Sequence, residues 1–204
     1  MENKKETKII RGTMMAMISI LFLSFMMCFS TNNASAQKLL TDTANSLRTG
    51  SLPQQPLDIQ YDETGMILEI PSLSVSAEIV VAPFIDGEYS VYWLGDTAGL
   101  LEGTALPGEG PSVIAAHNHL SGAEAGPFVM LQYMNQGDKI FVMDKRGAMQ
   151  SFTVYANTKI AETDVSGLID IATGHDRPLI LLTCEDERVE GGYANRRIIA
   201  AEPN

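Results

Sequence analysis

From residue 61 to the C-terminus, short apolar runs rich in β-branched residues alternate with turns that contain glycine or proline. Examples are "MILEIPSLSVSAEIVVAP", which Pro71 interrupts, and the closing segments "LILLTC" and "NRRIIAAE". β-Branched residues favour extended backbone, whereas glycine and proline mark the turns between strands. The long helical segments that a parallel α/β sheet would need are missing from the pattern. The spacing therefore predicts a mostly β fold, an antiparallel-rich barrel or sandwich with one or two short helices.

Four segments carry more local expectations. The segment "KIFVMDKRGAMQSFTVYANTKI" predicts a hairpin that turns at residues 144–147. Apolar residues at near-helical spacing in "FVMLQYMNQGD" predict a short helix that stops at Gly137. The stretch "LLEGTALPGEGP" predicts a loop that leads into a strand at residues 112–116, and "TDVSGLIDIATGHDRP" predicts a polar loop with about one helical turn.

The N-terminal 36 residues differ in character from the rest. Basic residues in "MENKKETKIIRG" precede an uncharged run at residues 13–30, and "ASA" at residues 34–36 resembles a signal-peptidase site. The uncharged stretch is also about as long as the ~20 residues that cross a membrane. Either interpretation places the remaining chain outside the cytoplasm, because the positive flank stays inside. We expect a signal peptide or membrane anchor at residues 1–36, a polar tether at 37–60 and an extracellular catalytic domain at 61–204.

Charge and motif content exclude several classes of partner. The net charge is −11, whereas phosphate backbones are bound by concentrated lysine and arginine. The sequence has no zinc-type cysteine spacing and no glycine-rich phosphate loop. We therefore expect no nucleic-acid partner, no cofactor and no metal. Acids in the predicted loops are explained as well by a solvated surface as by a calcium site: Glu102, Glu109, Glu124, Glu162 and Asp164.

The cysteine count singles out Cys184. The other cysteine, Cys28, lies in the uncharged N-terminal run, so the exported domain has one thiol and cannot form an internal disulfide. An unpaired thiol outside the cytoplasm is exposed to oxidation without a structural benefit. Cys184 also stands at the edge of "LILLTCEDE", where aliphatic residues give way to acids. Although a free cysteine is often a small buried hydrophobe, this position favours a reactive thiol.

Two other residue types at predicted strand edges suit thiol chemistry. His117 follows the apolar run "VIAA", and Arg196 or Arg197 opens the last strand in "YANRRIIAA". A cationic neighbour lowers the pKa of a thiol, an imidazole can protonate a leaving amine, and a guanidinium can stabilise an oxyanion. Acyl transfer through a thioester uses all three roles. Taken singly, each residue is equally explained as an ordinary strand-end side chain.

Four segments together resemble the sortases, the cysteine transpeptidases of bacterial cell surfaces. These segments are "EGTALPGEGPSVIAAHN", "GPFVMLQYMNQGDKIFV", "LILLTCEDE" and "NRRIIAA". The resemblance covers about residues 66–202, and its most specific parts are the Thr183-Cys184 pair after an aliphatic strand and the arginine that opens the last strand. It implies the eight-stranded sortase β-barrel, in agreement with the strand pattern.

The resemblance also implies a role for each candidate residue. Cys184 is expected to be the nucleophile that attacks a C-terminal sorting signal, typically between Thr and Gly of an LPxTG-like motif. His117 is expected to protonate the departing amine, and Arg196 to bind the substrate backbone and the oxyanion. Thr183 is expected to touch the substrate or orient the thiol, and the backbone N–H of Glu185 to be a second oxyanion donor. The implied acceptor is an amine on the cell wall or on a pilin.

Several alternatives stay open from the residues alone. His119 would face the same side of a strand as His117, whereas Arg196 and Arg197 would face opposite sides. Position favours His117 and Arg196, although Ala116 stands where many sortases have glycine. Two other functions fit the same features. One is a non-catalytic exported β-domain with an incidental thiol, and the other is a cysteine hydrolase that forms the same thioester.

The resemblance places recognition of the sorting signal at the predicted loop of residues 157–178. Two interpretations of its apolar residues have equal weight: a wall for the Leu-Pro part of a peptide, or a loop helix packed onto the barrel. The residues concerned are Val165, Leu168, Ile169 and Ile171.

Overall fold

The computed structural model describes Gln55 and residues 59–120, 124–187 and 193–204. The expected signal or anchor segment at residues 1–36, and most of the expected tether, lie outside the described residues. Within the part of the chain that is described, no helix is both long and apolar enough to cross a membrane.

The described residues form mainly β-strands. The strands are β1 (Asp62–Ile70), β2 (Val75–Ala82), β3 (Phe84–Ile85), β4 (Glu88–Tyr89), β5 (Ala98–Leu101), β6 (Ser112–Ala115), β7 (Lys139–Met143), β8 (Met149–Ala161), β9 (Leu179–Glu187) and β10 (Tyr193–Pro203). Helix α1 spans Val165–Ala172, and 3-10 turns lie at Pro71–Leu73 and Leu131–Tyr133.

Eight of these strands close a barrel in the order β1-β2-β5-β6-β9-β10-β8-β7, and β3 and β4 form a separate two-stranded sheet. The pairings β2–β5 and β6–β9 are parallel, whereas β1–β2, β1–β7, β5–β6, β7–β8, β8–β10 and β9–β10 are antiparallel. The predicted mostly β fold with an eight-stranded barrel is confirmed.

Strand alternation sorts the apolar side chains into two clusters. The barrel core receives residues from all eight barrel strands, including fully buried Leu68, Phe152 and Leu181. The outer cluster lies on the opposite face of β6, β9 and β10. Its members include Val113, Ala115, Ile180, Leu182, Ile198 and Ala200, together with Tyr89 of β4. Because β9 is apolar on both faces as far as Leu182, its sequence shows a continuous aliphatic run rather than alternation.

The predicted hairpin is confirmed, with β7 and β8 pairing around residues 144–147. Asp144 Oδ1 accepts hydrogen bonds from the N–H groups of Arg146 at 2.8 Å and Ala148 at 2.9 Å. Gly147 has a φ of +82°, which glycine adopts without a steric cost. The turn chemistry that the sequence contains therefore fixes this connection.

One expectation about local structure is wrong, and another underestimates the length of a helix. The segment "FVMLQYMNQGD" contains only the 3-10 turn Leu131–Tyr133 instead of a short helix. Phe128 and Leu131 are both fully buried in the barrel core, so a three-residue spacing suffices to anchor the segment. The predicted loop at residues 157–178 begins with the end of β8 and contains the eight-residue helix α1. Asp164 starts that helix by accepting the Gly167 N–H at 3.0 Å.

Candidate active site

Three neighbouring barrel strands lead to the three predicted catalytic side chains. β9 lies between β6 and β10 in the barrel order. Cys184 on β9 pairs with Arg196 on β10, and directly opposite residues of an antiparallel pair project to the same face. Ala115 pairs with Leu182 in the β6–β9 register. Two residues further along both strands, His117 therefore reaches the level of Cys184.

The same register puts the three side chains on one face. Ala115, Leu182 and Ile198 belong to the outer cluster, and a step of two residues returns to the same face of a strand. His117, Cys184 and Arg196 therefore continue the outer cluster at one end of the barrel. The structure pairs Cys184 with Arg196 and places His117 on the neighbouring chain segment, two residues after Ala115.

The surroundings of Cys184 hold its thiol in the neutral form. The residue keeps some exposure to solvent, but most of what surrounds the sulfur is protein. Burial raises the pKa of the Cys184 thiol above the ordinary value of 9.0, the nearby Arg196 guanidinium lowers it, and the Glu162 carboxylate raises it. β9 also continues to Glu187 instead of ending at the cysteine, so the sulfur sits on a paired, rigid strand.

The two candidate histidines have different environments. His117 is partly buried, and its Nε2 lies 3.1 Å from the Tyr92 carbonyl oxygen. Because a carbonyl can only accept, Nε2 carries the proton in this contact. Burial lowers the pKa of the His117 imidazole, while hydrogen bonds to the main chain of Tyr92 and Val91 raise it. His119 is exposed and forms an isolated bridge with Ala125.

The two candidate arginines lie on opposite faces. Arg196 is 3% exposed, and its Nη2 donates to Glu162 Oε1 at 2.8 Å. Arg197 pairs with Thr183 across the strands. Its Nε and Nη2 each donate to one oxygen of Glu185 at 2.7 Å. Only Arg196 therefore shares the face of Cys184.

Thr183 and Glu185 flank the cysteine and project to the face opposite its sulfur. Thr183 is buried, and its hydroxyl donates to the Ala116 carbonyl at 2.8 Å. This bond joins β9 to the residue before His117, so Thr183 fixes the distance between the two strands that carry the thiol and the imidazole. The Glu185 side chain is held by Arg197, and its backbone N–H directly follows the cysteine in the chain.

Sequence reasoning missed two residues that support this arrangement. The Asn118 side-chain amide donates to the Cys184 carbonyl at 2.8 Å. Gly126 lies against His117 so closely that a Cβ at this position would be 2.3 Å from the His117 carbonyl oxygen. The signals for both were present, an amide next to the candidate histidine and a glycine in "GPF", but neither indicates its contact without the fold.

The interpretation of Glu162 as solvated surface is wrong. Its side chain is 10% exposed and ion-pairs with Arg196, so it belongs to the candidate site. Asp164 caps α1, and Glu102 accepts the Phe84 N–H. Among the described residues, no group of three or more His, Cys, Asp or Glu side chains is arranged to hold a metal ion.

Helix α1 begins three residues after Glu162, close to the candidate site in the chain. Ile171 packs against the outer cluster, as the packing interpretation expects. The side chains of Val165 and Leu168 lie outside those described.

Comparison with known proteins gives one family. The family model described as "Sortase domain" matches residues 68–204, which is more than half of the chain. The match covers all five predicted site residues. No curated protein matches the chain significantly.

Solved structures similar to this chain share its fold. Sortase A from Corynebacterium diphtheriae is 21% identical with a TM-score of 0.56, and the match covers 86% of this chain and 71% of that chain. The pilus-related Sortase C of Group B Streptococcus is 21% identical with a TM-score of 0.55, covering 82% and 90%. Streptococcus pneumoniae Sortase C is 27% identical with a TM-score of 0.54, covering 70% and 66%. The chain thus spans about two thirds of that last protein.

Proposed function

As the chain belongs to the sortase family, we propose that it is a cysteine transpeptidase that cleaves a C-terminal sorting signal of the LPxTG type and transfers the acyl product to an amine. One observation carries the proposal beyond family membership. The β9–β10 register pairs Cys184 with Arg196, and His117 follows β6, the other strand that pairs with β9; this arrangement supports the proposal. Acyl transfer through a thioester needs these three groups at one carbonyl.

Each group has one task in the proposed reaction. Cys184 Sγ attacks the scissile carbonyl, and Arg196 donates hydrogen bonds to the oxyanion that forms. Collapse of this intermediate breaks the C–N bond, and the departing amine takes its proton from His117. The thioester that remains is then attacked by the acceptor amine. That amine gives its proton to His117 as the C–S bond breaks and the thiol is restored.

The protonation states at rest follow from burial. With the pKa of Cys184 raised and that of His117 lowered, both groups are neutral near pH 7. The proton therefore has to pass from the thiol to the imidazole before or during attack, and the thiolate–imidazolium pair is a minor form of the free enzyme. Arg196 favours this minor form, because its positive charge lowers the pKa of the thiol.

The acceptor and the location belong to the same proposal. The Streptococcus pneumoniae Sortase C structure concerns pilin substrate specificity, and the Group B Streptococcus protein is pilus-related. We extend this to an acceptor amine on a pilin or on the cell wall. Residues 1–36, as a signal peptide or membrane anchor, would place the domain on the outer side of the cell membrane.

The test is covalent capture of the acyl-enzyme. The protein is incubated with a library of LPxTG-type peptides, with and without a glycine-based amine. The masses of the protein and of the products are then measured by mass spectrometry. We expect a thioester adduct on Cys184 and a transfer product only when the amine is present. Adduct formation by the Cys184→Ala variant would overturn the assignment.

The same experiment separates the remaining alternatives. Release of the acyl fragment as a free acid at an equal rate with and without amine would identify a hydrolase. A thiol that forms no adduct with any peptide would identify a non-catalytic domain. The Cys184→Ala variant is expected to unfold at nearly the same temperature as the unmodified domain, since it removes one partly exposed sulfur.

A further inference from the structure

Glu162 joins three elements at the candidate site. It is the first residue after β8, and its backbone N–H donates to the Ala194 carbonyl on β10 at 3.0 Å. Two residues later, Asp164 caps helix α1. The Glu162 side chain turns toward β10 and receives Arg196 Nη2 at 2.8 Å. The carboxylate therefore connects the entry of α1 to the guanidinium beside the thiol.

Burial distinguishes this ion pair from those on the surface. The side chains of Arg196 and Glu162 are 4% and 10% exposed, whereas those of Lys159 and Asp186 are 44% and 48% exposed. An exposed pair exchanges its partners readily with water and contributes little. In a buried pair, removal of one partner leaves the other charge without compensation. Glu162 thus holds the Arg196 guanidinium in one place, and removal of its carboxylate would change the position or the charge balance of the guanidinium.

The charges that act on the thiol come from two neighbouring elements. Among the described residues, Arg196 approaches from β10 and Glu162 from the end of β8. His117, which follows β6, is neutral near pH 7, and Asp186 lies further along β9 and is exposed. The negative charge of Glu162 acts on the sulfur against the positive charge of Arg196. The same carboxylate therefore orders the guanidinium and opposes formation of the thiolate.

We propose that Glu162 is a positioning residue, whose carboxylate fixes the Arg196 guanidinium against the Cys184 face and couples it to the chain that enters α1. The consequence for peptide cleavage rests on the proposed function. The consequence for the thiol does not, because it depends only on the charge next to the sulfur. Removal of the Glu162 charge should therefore speed alkylation of the thiol and slow peptide cleavage.

Glu162→Gln separates them. The amide keeps an acceptor oxygen but has no charge, so the pH midpoint of Cys184 alkylation by iodoacetamide should fall, with roughly three- to tenfold faster alkylation at a fixed pH below it. Iodoacetamide is neutral, so its binding does not need Arg196, and the amide oxygen at position 162 can still accept from the guanidinium and keep it near the thiol. The kcat/KM for an LPxTG-type peptide should fall about tenfold, mainly in kcat, because Arg196 is less firmly held for the oxyanion.

Two variants serve as controls. Asp186→Asn makes the same carboxylate-to-amide change on β9, two residues after Cys184, at an exposed carboxylate that is bound by Lys159 and Asn195. It should change neither the midpoint nor kcat/KM. Glu162→Asp keeps the charge on a shorter side chain, so it should leave the alkylation midpoint near that of the unmodified protein while lowering kcat/KM.

The outcomes are decisive in either direction. Faster alkylation together with slower cleavage in Glu162→Gln supports the proposal. An unchanged midpoint, or a loss of cleavage that only follows a loss of folded protein in a thermal melt, overturns it. If the unmodified protein cleaves no peptide, the proposed function fails, and the alkylation comparison alone still decides whether Glu162 acts on Cys184.

Discussion

Arg196 and Arg197 are chemically identical neighbours, yet β10 turns them to opposite faces of the barrel wall. Arg197 forms a two-pronged contact with Glu185, with both N–O distances at 2.7 Å, and a further bond to Asn157 Oδ1 at 3.1 Å. Arg196 is more deeply buried and contacts Glu162 beside the thiol. The fork of Arg197 ties β9, β10 and β8 together, which is a structural task. The position of Arg196 next to Cys184 suits a chemical one.

Strand register, more than residue type, determines which of the two arginines lies beside Cys184. A shift of one residue in the β9–β10 pairing would exchange the faces of every side chain on β10. Arg197 would then lie beside Cys184, and Arg196 would face Glu185. The continuous burial of Ile198, Ile199, Ala200 and Ala201 stabilises the pairing, and Thr183, through its bond to Ala116, holds the third strand in line.

The largest expected effect extends the comparison to the two histidines. His117→Ala should lower kcat/KM for peptide cleavage by about 10²–10⁴, the usual loss when a general acid is removed. His119→Ala should change it less than about twofold, since His119 is exposed and surface substitutions are usually mild. Steady-state kinetics on both variants decide the matter, and an equal loss in both would break the distinction between the two environments.

The arginine pair itself should give the next largest effect. Arg196→Gln is expected to lower kcat/KM by about 10²–10³, as loss of an oxyanion donor does. Arg197→Gln should mainly lower the unfolding free energy, by about 1–3 kcal/mol, because it leaves Glu185 partly buried without its partner. Urea unfolding measured beside the kinetics separates the two losses. A larger kinetic loss at Arg197 would show that the faces are assigned the wrong way round.

Local sequence patterns predicted the strands whose own residues favour them. The β7–β8 hairpin and the strands on either side of Cys184 carry β-branched or aliphatic runs with turn residues at their ends. β5, with the sequence "AGLL", has no β-branched residue, and its Leu100 and Leu101 were predicted to begin a loop. It is extended because β2 and β6 pair with it on both sides. The partners of a strand are a tertiary property that no local window contains.

In the candidate site, too, the sequence predicted individual residues, whereas their arrangement depends on tertiary pairing. Cysteine count and position, together with the family resemblance, selected Cys184, His117 and Arg196, but their convergence depends on the parallel pairing of β6 with β9. Glu162 was assigned to solvated surface, because an acid in a polar stretch has no local sign of burial. Its partner Arg196 lies 34 positions away.

A smaller effect is expected from a residue that has no side chain. Gly126→Ala would place a Cβ 2.3 Å from the His117 carbonyl oxygen and 2.7 Å from its carbon, so His117 must move. We expect about a tenfold loss of kcat/KM and a loss of stability of about 1–3 kcal/mol.

Gly147→Ala in the β7–β8 turn is the matched control. Its φ of +82° makes alanine strained, but nothing lies within 4 Å of the added Cβ, so stability should fall while kcat/KM stays unchanged. An equal loss of kcat/KM in both variants would mean that the loss of stability, and not the displacement of His117, lowers turnover.

The smallest expected effect is the pH dependence of stability that His117 contributes. Burial holds the pKa of the folded His117 imidazole below its ordinary 6.5, so the unfolded chain binds the proton first as the pH falls. The contribution is therefore fully present above about pH 6.5 and is lost as the pH falls through the folded-state pKa, at no more than about 1.4 kcal/mol per unit of pKa difference. The difference in unfolding free energy between the unmodified protein and His117→Gln, measured by urea unfolding between about pH 5 and pH 8, should decrease toward acid. A difference that stays constant over this range would mean that the His117 imidazole binds protons as readily as an exposed histidine does. The face that carries Cys184 and Arg196 would then have no partly buried imidazole.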